Sequence, residues 1–558
     1  MSRVHSKPVL ALAAGLAGML LAGCSAPAAT PTSEAPTTAV STPEAPAKTE
    51  ATIAVFQELN TIDPPFAIDS NSSQAINNFL EGLYRLGEGN TPVPAGAVDL
   101  PEISADGLIY TIKLNPAAKW SDGTPVTAAD YEFAWKRAVG LENAGENQKF
   151  FGAIAGANEI IAGDKKPDEL AVTAVDDTTL TFTLANPTSY FTSLLAAVAF
   201  FPLKQAYVEE QGEAFGSDSE HGLYNGPFTL ADFSGPGLGS GWSYVRNENY
   251  WDTANVFLDK INVQVIKDTN TAINLYKAGE VDQVLISGPQ VQANQADPGF
   301  VAYQTATSAF LGYNQTKPAF QNPKVRKAIS LVIDRAALAA NVLADGSSAS
   351  TGLVPPGLAA NTAGEDFAAA AGDALSTDVE QAKALWAEAK AELGISELAI
   401  GLQTFDSDRV KSVSEYLQGV IQTNLEGTTV EIGLNPVANF LQKVNGGEFD
   451  VYLVTWGADF PDPSAQLGLF RSDAGSNWGK YSNPAFDAAL TAAQTTHATD
   501  PAARWADLLE AQRILLEDQG GTPVFFQSQT LLRNPALEGV VFHTSGPAFT
   551  YKSAKFTS

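Results

Sequence analysis

Cysteine is almost missing from this chain of 558 residues, which has Cys24 and no other. That count excludes an intrachain disulfide, a cysteine metal cluster and a cysteine nucleophile in the body of the protein. Positive charge is also scarce: 33 Lys and Arg stand against 62 Asp and Glu, a formal charge of −29. So acidic a chain repels phosphate backbones, which argues against nucleic-acid binding, while the charge keeps it soluble and off anionic lipid. Histidine is sparse too. Beyond His5 there are His221, His497 and His543, far apart and without a His-x-x-Glu-His or Gly-x-Ser-x-Gly pattern, so neither a metallohydrolase nor a serine hydrolase is supported. After the first two dozen residues no apolar run is long enough to span a bilayer; the segment from Tyr190 to Phe200 falls well short.

What is present begins at the N-terminus. Arg3, His5 and Lys7 precede an apolar run from Val9 to Leu21, the pattern of a secretory signal peptide. It ends in Leu21-Ala22-Gly23-Cys24, which resembles the bacterial lipoprotein box. The resemblance implies cleavage after residue 23 and a lipid anchor on Cys24, where two or more acyl chains give stable membrane attachment. Losing Arg3 and Lys7 with the signal takes the charge from −29 to −31. From Ser25 to about Glu50 the chain is Ala, Pro, Thr, Ser and Glu with no apolar periodicity, a disordered tether.

Beyond the tether, apolar spacing switches repeatedly between two and 3.6, the signature of an α/β protein long enough for two or three domains. Strands are expected at Thr52–Phe56, Tyr110–Leu114, Lys260–Val265, Leu398–Leu402, Thr429–Leu434, Phe449–Thr455 and Pro523–Gln527. Helices are expected at Asn71–Tyr84, after cap oxygens on Asp69, Ser70 and Asn71, and at Thr127–Ala138, Pro323–Ala340, Val379–Leu393, Asp408–Asn424 and Trp505–Glu517. The segment Tyr190–Phe200 reads as a buried helix. Gly235 to Gly241 is phosphate-loop-like only in composition; strand-like residues follow it, so it reads as a hairpin loop. Trp456-Gly457-Ala458-Asp459-Phe460-Pro461-Asp462-Pro463 follows a strand, and ligands of open α/β sheets bind at the C-terminal ends of strands. An aspartate held by turns beside a tryptophan can receive a free ammonium group.

Several blocks together resemble the extracytoplasmic solute-binding proteins of the peptide/opine/nickel class. They are Lys119-Trp120-Ser121-Asp122-Gly123-Thr124-Pro125-Val126-Thr127-Ala128-Ala129-Asp130-Tyr131 with Trp135-Lys136-Arg137; Asn225-Gly226-Pro227-Phe228; Asn249-Tyr250-Trp251-Asp252; Val325-Arg326-Lys327-Ala328 with Ile333-Asp334-Arg335; and Tyr481-Ser482-Asn483-Pro484. The Trp120 block itself reads as turn, cap and core. The resemblance implies an α/β, two-lobed periplasmic-binding-protein-like (class II) fold with a hinge and an additional domain inserted in the first lobe. By analogy, residues 1–23 are signal and 24–50 lipidated cysteine and tether. Lobe one is then 51–81, 223–308 and 528–558, the inserted domain 82–222, and lobe two 309–527.

The same resemblance implies a monomeric receptor, not an enzyme, without cofactor or metal. It would bind peptides between the lobes and hand them to the permease subunits of an ABC importer. Asp459 matches the aspartate that pairs with the peptide's α-ammonium, and Thr455, Trp456, Gly457 and Ala458 match the segment along which the peptide lies. Asp69, Ser70 and Asn71 match a backbone-pairing segment of the facing lobe, and Gln527 with Ser528 the last contributing strand. Asp462 is expected to close the turn through its own side chain, and Trp478 to sit in the core. Arg409, Lys411, Arg471 and Lys480 are candidates for the peptide's carboxylate. A receptor of the same fold for a nickel chelate, haem, an opine or an oligosaccharide is the alternative, and a secreted hydrolase the alternative from another class.

Overall fold

The computed structural model describes residues 48–87, 90–140 and 145–557. The expected signal segment, the expected lipidation site Cys24 and the expected tether up to residue 47 lie outside them. Lys48, Thr49 and Glu50, expected to belong to the tether, are built into the body: Lys48 pairs with Asp282 at 2.7 Å and Glu50 opens the first strand.

One large sheet organises the chain. Its main strands are β1 (Glu50–Val55), β2 (Phe228–Ala231), β3 (Gly241–Arg246), β4 (Lys260–Val265), β5 (Gln283–Ile286), β6 (Phe300–Tyr313), β7 (Leu398–Phe405), β8 (Thr428–Asn435), β9 (Val451–Gly457) and β10 (Gly521–Arg533). They lie in the order β8-β7-β9-β6-β10-β5-β1-β4-β3-β2. β4, β1 and β5 are parallel at one end, as are β8, β7 and β9 at the other. The long antiparallel strands β6 and β10 join the two ends. Their register breaks between Gln304 and Ser308, so the pair forms two ladders, one in each half of the sheet. This is a two-lobed α/β fold whose lobes share a two-strand hinge. A separate antiparallel sheet of four strands is built from Glu102–Ile103, Ile109–Lys113, Val172–Asp176 and Thr179–Thr183.

Period-two alternation explains the packing in the half containing β9. Ala309, Leu311 and Tyr313 of β6 and Val451 and Leu453 of β9 enter one apolar core, while Phe310, Tyr452 and Val454 enter another across the sheet. Helices cover both faces, so the strands read as near-continuous apolar runs.

Local chemistry sets most helix limits. Helix α1 (Ser70–Phe79) starts where the Asp69 carboxylate accepts from Ser72 N at 2.8 Å. It is shorter than the expected Asn71–Tyr84 because Leu80 turns extended and Tyr84 enters a short strand. Helix α2 (Ala128–Gly140) is preceded by Thr127, whose N–H donates to Asp130 at 2.8 Å, a capping-box variant. Trp120 donates to Asp130 at 3.2 Å and Trp135 to Phe200 O at 2.9 Å, which gives that block its turn-and-core role.

Two expected helices are corrected. Pro323–Ala340 is broken into Pro323–Leu331, Arg335–Ala337 and a π-turn at Leu338–Leu343. Asp334 caps a new start, and the buried Arg335 guanidinium donates to Ser330, Ile333 and Pro523 carbonyls around the break. Tyr190–Phe200 is only one turn, Phe191–Leu194, and a 3₁₀ turn, Val198–Phe200; apolar residues buried on all sides stabilise irregular chain as readily as helix. The strand expected at Phe449–Thr455 lies two residues later, so Trp456 is inside it. Gly235–Gly241 does connect the antiparallel strands β2 and β3.

Candidate functional site

Strand β9 supplies the platform. It pairs along one edge with β6, Ser308 opposite Trp456 and Thr307 opposite Gly457, and Ala458 N continues the ladder to Ala306 O at 2.8 Å. On the other edge its register with β7 covers Val451 and Tyr452. Backbone groups in an antiparallel ladder alternate in direction, so with Ala458 turned toward β6, Thr455 and Gly457 turn their N–H and C=O toward the edge that β7 has left. Those groups face a position where another extended chain can pair. Trp456 lies against Trp478 at 6.0 Å between ring centroids, and Trp478, 8% exposed, also packs on Phe440 and Tyr452.

The turn after β9 is fixed from below. Asp462 accepts from Ser464 N at 2.9 Å and Ser464 Oγ at 2.6 Å, the local side-chain bond expected of it. It also takes a bidentate pair from Arg504, 2.9 and 2.8 Å, on α3 (Pro501–Asp518). Both partners are buried. Phe460 stacks on Tyr190 at 4.2 Å with the rings 8° from parallel, and burial pushes the Tyr190 hydroxyl up to about 12. Between these anchors Asp459 remains exposed, and its Oδ1 receives Lys149 Nζ at 3.1 Å. Lys149, Tyr190 and Arg504 are site residues that sequence reasoning missed; none belongs to a motif, and each reaches the turn only through the tertiary fold.

The side chains of Asp69 and Asn71 and backbone groups of Gln527 and Ser528 have partners of their own. Asp69 caps α1 and also bonds Asn60 Nδ2 at 3.3 Å, and Asn71 Nδ2 donates to Gln57 and Glu58 carbonyls. Ser70 is exposed at the helix start. Gln527 and Ser528 lie at the register break of the hinge. The Gln527 carbonyl accepts from Gln304 Nε2 at 2.7 Å and Thr305 Oγ1 at 2.8 Å, and Ser528 N donates to Ser347 Oγ at 3.2 Å. Among the carboxylate candidates, Arg409 is paired with Asp345 and Arg471 with Asp473. The three histidines are separately engaged, His221 with Asp218, His497 with Asp507 and His543 with Thr550. Among the described residues no three His, Cys, Asp or Glu side chains are grouped to hold a metal ion, and no helix is long and apolar enough to cross a membrane.

Two α/β lobes on a two-strand hinge, with a strand edge and a carboxylate at the end of β9, define a two-lobed binding protein. The chain belongs to the bacterial extracellular solute-binding proteins, family 5, whose middle region matches residues 91–478. A dipeptide-binding protein of Lactococcus lactis subsp. cremoris (strain MG1363) is 35% identical over 510 residues, 89% of this chain and 92% of that protein. The structure of Listeria monocytogenes OppA bound to peptide aligns with a TM-score of 0.70 at 35% identity, covering 92% of this chain and 99% of that one. The unliganded open form of the periplasmic murein tripeptide-binding protein MppA aligns at 0.79 with 27% identity, covering 91% and 97%.

Proposed function

We propose that this protein is a receptor that binds oligopeptides between its lobes, is held to the outer face of the membrane by lipid on Cys24, and delivers its ligand to the permease subunits of an ABC importer. One observation carries the ligand class: the backbone edge of Thr455 and Gly457 ends beside the exposed Asp459 carboxylate. Every peptide shares an ammonium and an extended backbone, and these two features meet those two groups. Side chains are then left to Trp456, Ala458 and the hydrated space around them. The relatives named for dipeptide and oligopeptide binding support the same reading. The protein works by binding rather than turnover, as its family description implies.

In this proposal Asp459 takes the α-ammonium and Thr455 to Ala458 run alongside the first residues of the peptide. From the facing lobe the exposed start of α1 at Ser70 contributes, while the side chains of Asp69 and Asn71 hold the helix end. Gln527 and Ser528 shape the hinge, since the Gln527 carbonyl and the Ser528 N–H already have partners. The proposed boundaries are lobe one at 51–81, 223–308 and 528–558, the inserted domain at 82–222 and lobe two at 309–527. The separate four-stranded sheet within 82–222 and the register break of β6 and β10 support them.

The test is calorimetric titration of Asp459→Ala and the wild type with one peptide, free or N-acetylated. A charge-assisted contact contributes about 1.5–3 kcal/mol, so losing either partner weakens binding roughly tenfold or more. Acetylation and mutation are expected to give the same loss, without summing. Equal affinity of the wild type for free and acetylated peptide would sink the assignment.

A further inference from the structure

We propose that Lys149 is an internal competitor for the ammonium seat on Asp459, so that any ligand ammonium must displace it to occupy the carboxylate. The inference rests on the reading of Asp459 given above. Lys149 and Asp459 are 310 residues apart, yet Nζ sits 3.1 Å from Oδ1. A lysine ammonium is the same chemical group as a peptide's α-ammonium, a compact cation with three donors. The side chain on the carboxylate is thus a chemical copy of the ligand group assigned to it.

Lys149 is presented from a fixed platform. Its 3₁₀ segment, Gly145–Ala153, is tied down by the buried Asn147, whose Nδ2 donates to Ala67 O at 3.1 Å. It is held as well by Phe151, fully buried against Trp135 and Phe200. The lysine lies over the Phe150 ring at 5.6 Å. On the facing side, the Tyr190–Phe460 stack and the Arg504–Asp462 pair fix the turn that carries Asp459. The meeting of the two charges therefore follows from two anchored elements.

The strength of the pair decides what it does. Side chains of Lys149 and Asp459 are 47% and 43% exposed, so the pair belongs with surface ion pairs, worth no more than about fivefold in an equilibrium. A small amine that displaces Lys149 merely exchanges one ammonium for another. A peptide adds pairing along Thr455 and Gly457 and wins. Lys149 thereby weakens every ligand that uses the seat by the same factor and holds peptide affinity below what the bare seat would give. If both cations share the carboxylate, their repulsion acts in the same direction.

Titration of Lys149→Met, Lys149→Arg and wild type with the same peptide, free and N-acetylated, tests this. Lys149→Met is expected to bind the free peptide about two- to fivefold tighter, to bind the acetylated peptide as wild type does, and to lose its advantage in an Asp459→Asn background. Lys149→Arg, which keeps the charge, should resemble wild type. A wild type that prefers the free peptide, combined with a Lys149→Met variant that binds it no tighter or more weakly, overturns the competitor alone. Tightening by Lys149→Arg equal to that of Lys149→Met does the same. Equal wild-type affinity for both peptides overturns the ammonium seat on which the inference rests.

Discussion

Removing the Arg504 guanidinium tests whether the turn after β9 is held by one buried ion pair. Arg504 and Asp462 are 8% and 5% exposed, and the bidentate geometry uses both carboxylate oxygens. Arg504→Ala leaves a buried carboxylate with only the two Ser464 donors. Breaking such a pair from one side costs about 3–5 kcal/mol, because the remaining charge stays buried. The Ser464 bonds offset part of that, which places the expected loss near 3 kcal/mol by the same rule. Alanine at an early position of α3 does not itself harm the helix. Denaturant unfolding followed by tryptophan fluorescence should show a lower midpoint with an unchanged slope. Asp459 is three residues away, so peptide affinity should fall as well. The paired variant Asp462→Leu/Arg504→Leu separates the effects. Replacing both charges by apolar groups of similar bulk restores much of the stability, but the turn loses the Ser464 bonds and binding stays weak. An unchanged midpoint for Arg504→Ala, or a double variant as unstable as the single one, would refute the reasoning.

Two further outcomes follow from buried groups elsewhere. His543, 5% exposed, has its imidazole pushed down to about 4, by burial first and then by the Arg85 guanidinium. Its folded pKa lies below the unfolded value near 6.5, so the stability tied to neutral His543 is complete above about pH 6.5 and drains as pH falls toward 4, about 3 kcal/mol in all. The stability gap between wild type and His543→Gln should therefore narrow from pH 7 to pH 4.5, and a gap independent of pH would contradict this. Gly226, in the Asn225-Gly226-Pro227-Phe228 block, donates its N–H to Phe79 O at 3.0 Å, and a Cβ there would lie 2.7 Å from the Phe79 carbonyl carbon. Gly226→Ala should cost about 1–3 kcal/mol through forced separation of two backbones; a denaturation midpoint equal to wild type would show that the approach is not tight.

Elements with complete local instructions were legible residue for residue. Val379–Leu393 and Asp408–Asn424 have the expected limits because Asp378 and Ser407 cap their starts, and Gly394 ends the first at φ 67°. The Asp462 turn was readable for the same reason, since its bonds to Ser464 lie two residues away. Where the deciding partner is distant, the reading shifted. Pro323–Ala340 has helical spacing throughout, yet the Arg335 guanidinium satisfies a carbonyl 188 residues away in β10 and keeps the break in place. Asp69 was readable as a cap residue and the structure gives its side chain that work, whereas Asn71, inside the helix, donates its amide to the Gln57 and Glu58 carbonyls instead.

Asp459 shows where local legibility ends. Its neighbours Trp456, Gly457 and Phe460 mark it as a carboxylate on a turn at a strand end, and that much needs only the octapeptide. What faces the carboxylate is set by how the sheet halves and the four-stranded sheet are placed, and by nothing within its own segment. Lys149 follows Gln148 and precedes two phenylalanines, a context with no pattern that marks a cation for any site. In a chain with nearly twice as many acids as bases, a single lysine turned onto the one exposed carboxylate of the motif is a choice made by packing, through Asn147 and Phe151 beneath it. The motif thus specifies one wall of the proposed site, while the lysine that faces its carboxylate is placed by the tertiary fold alone.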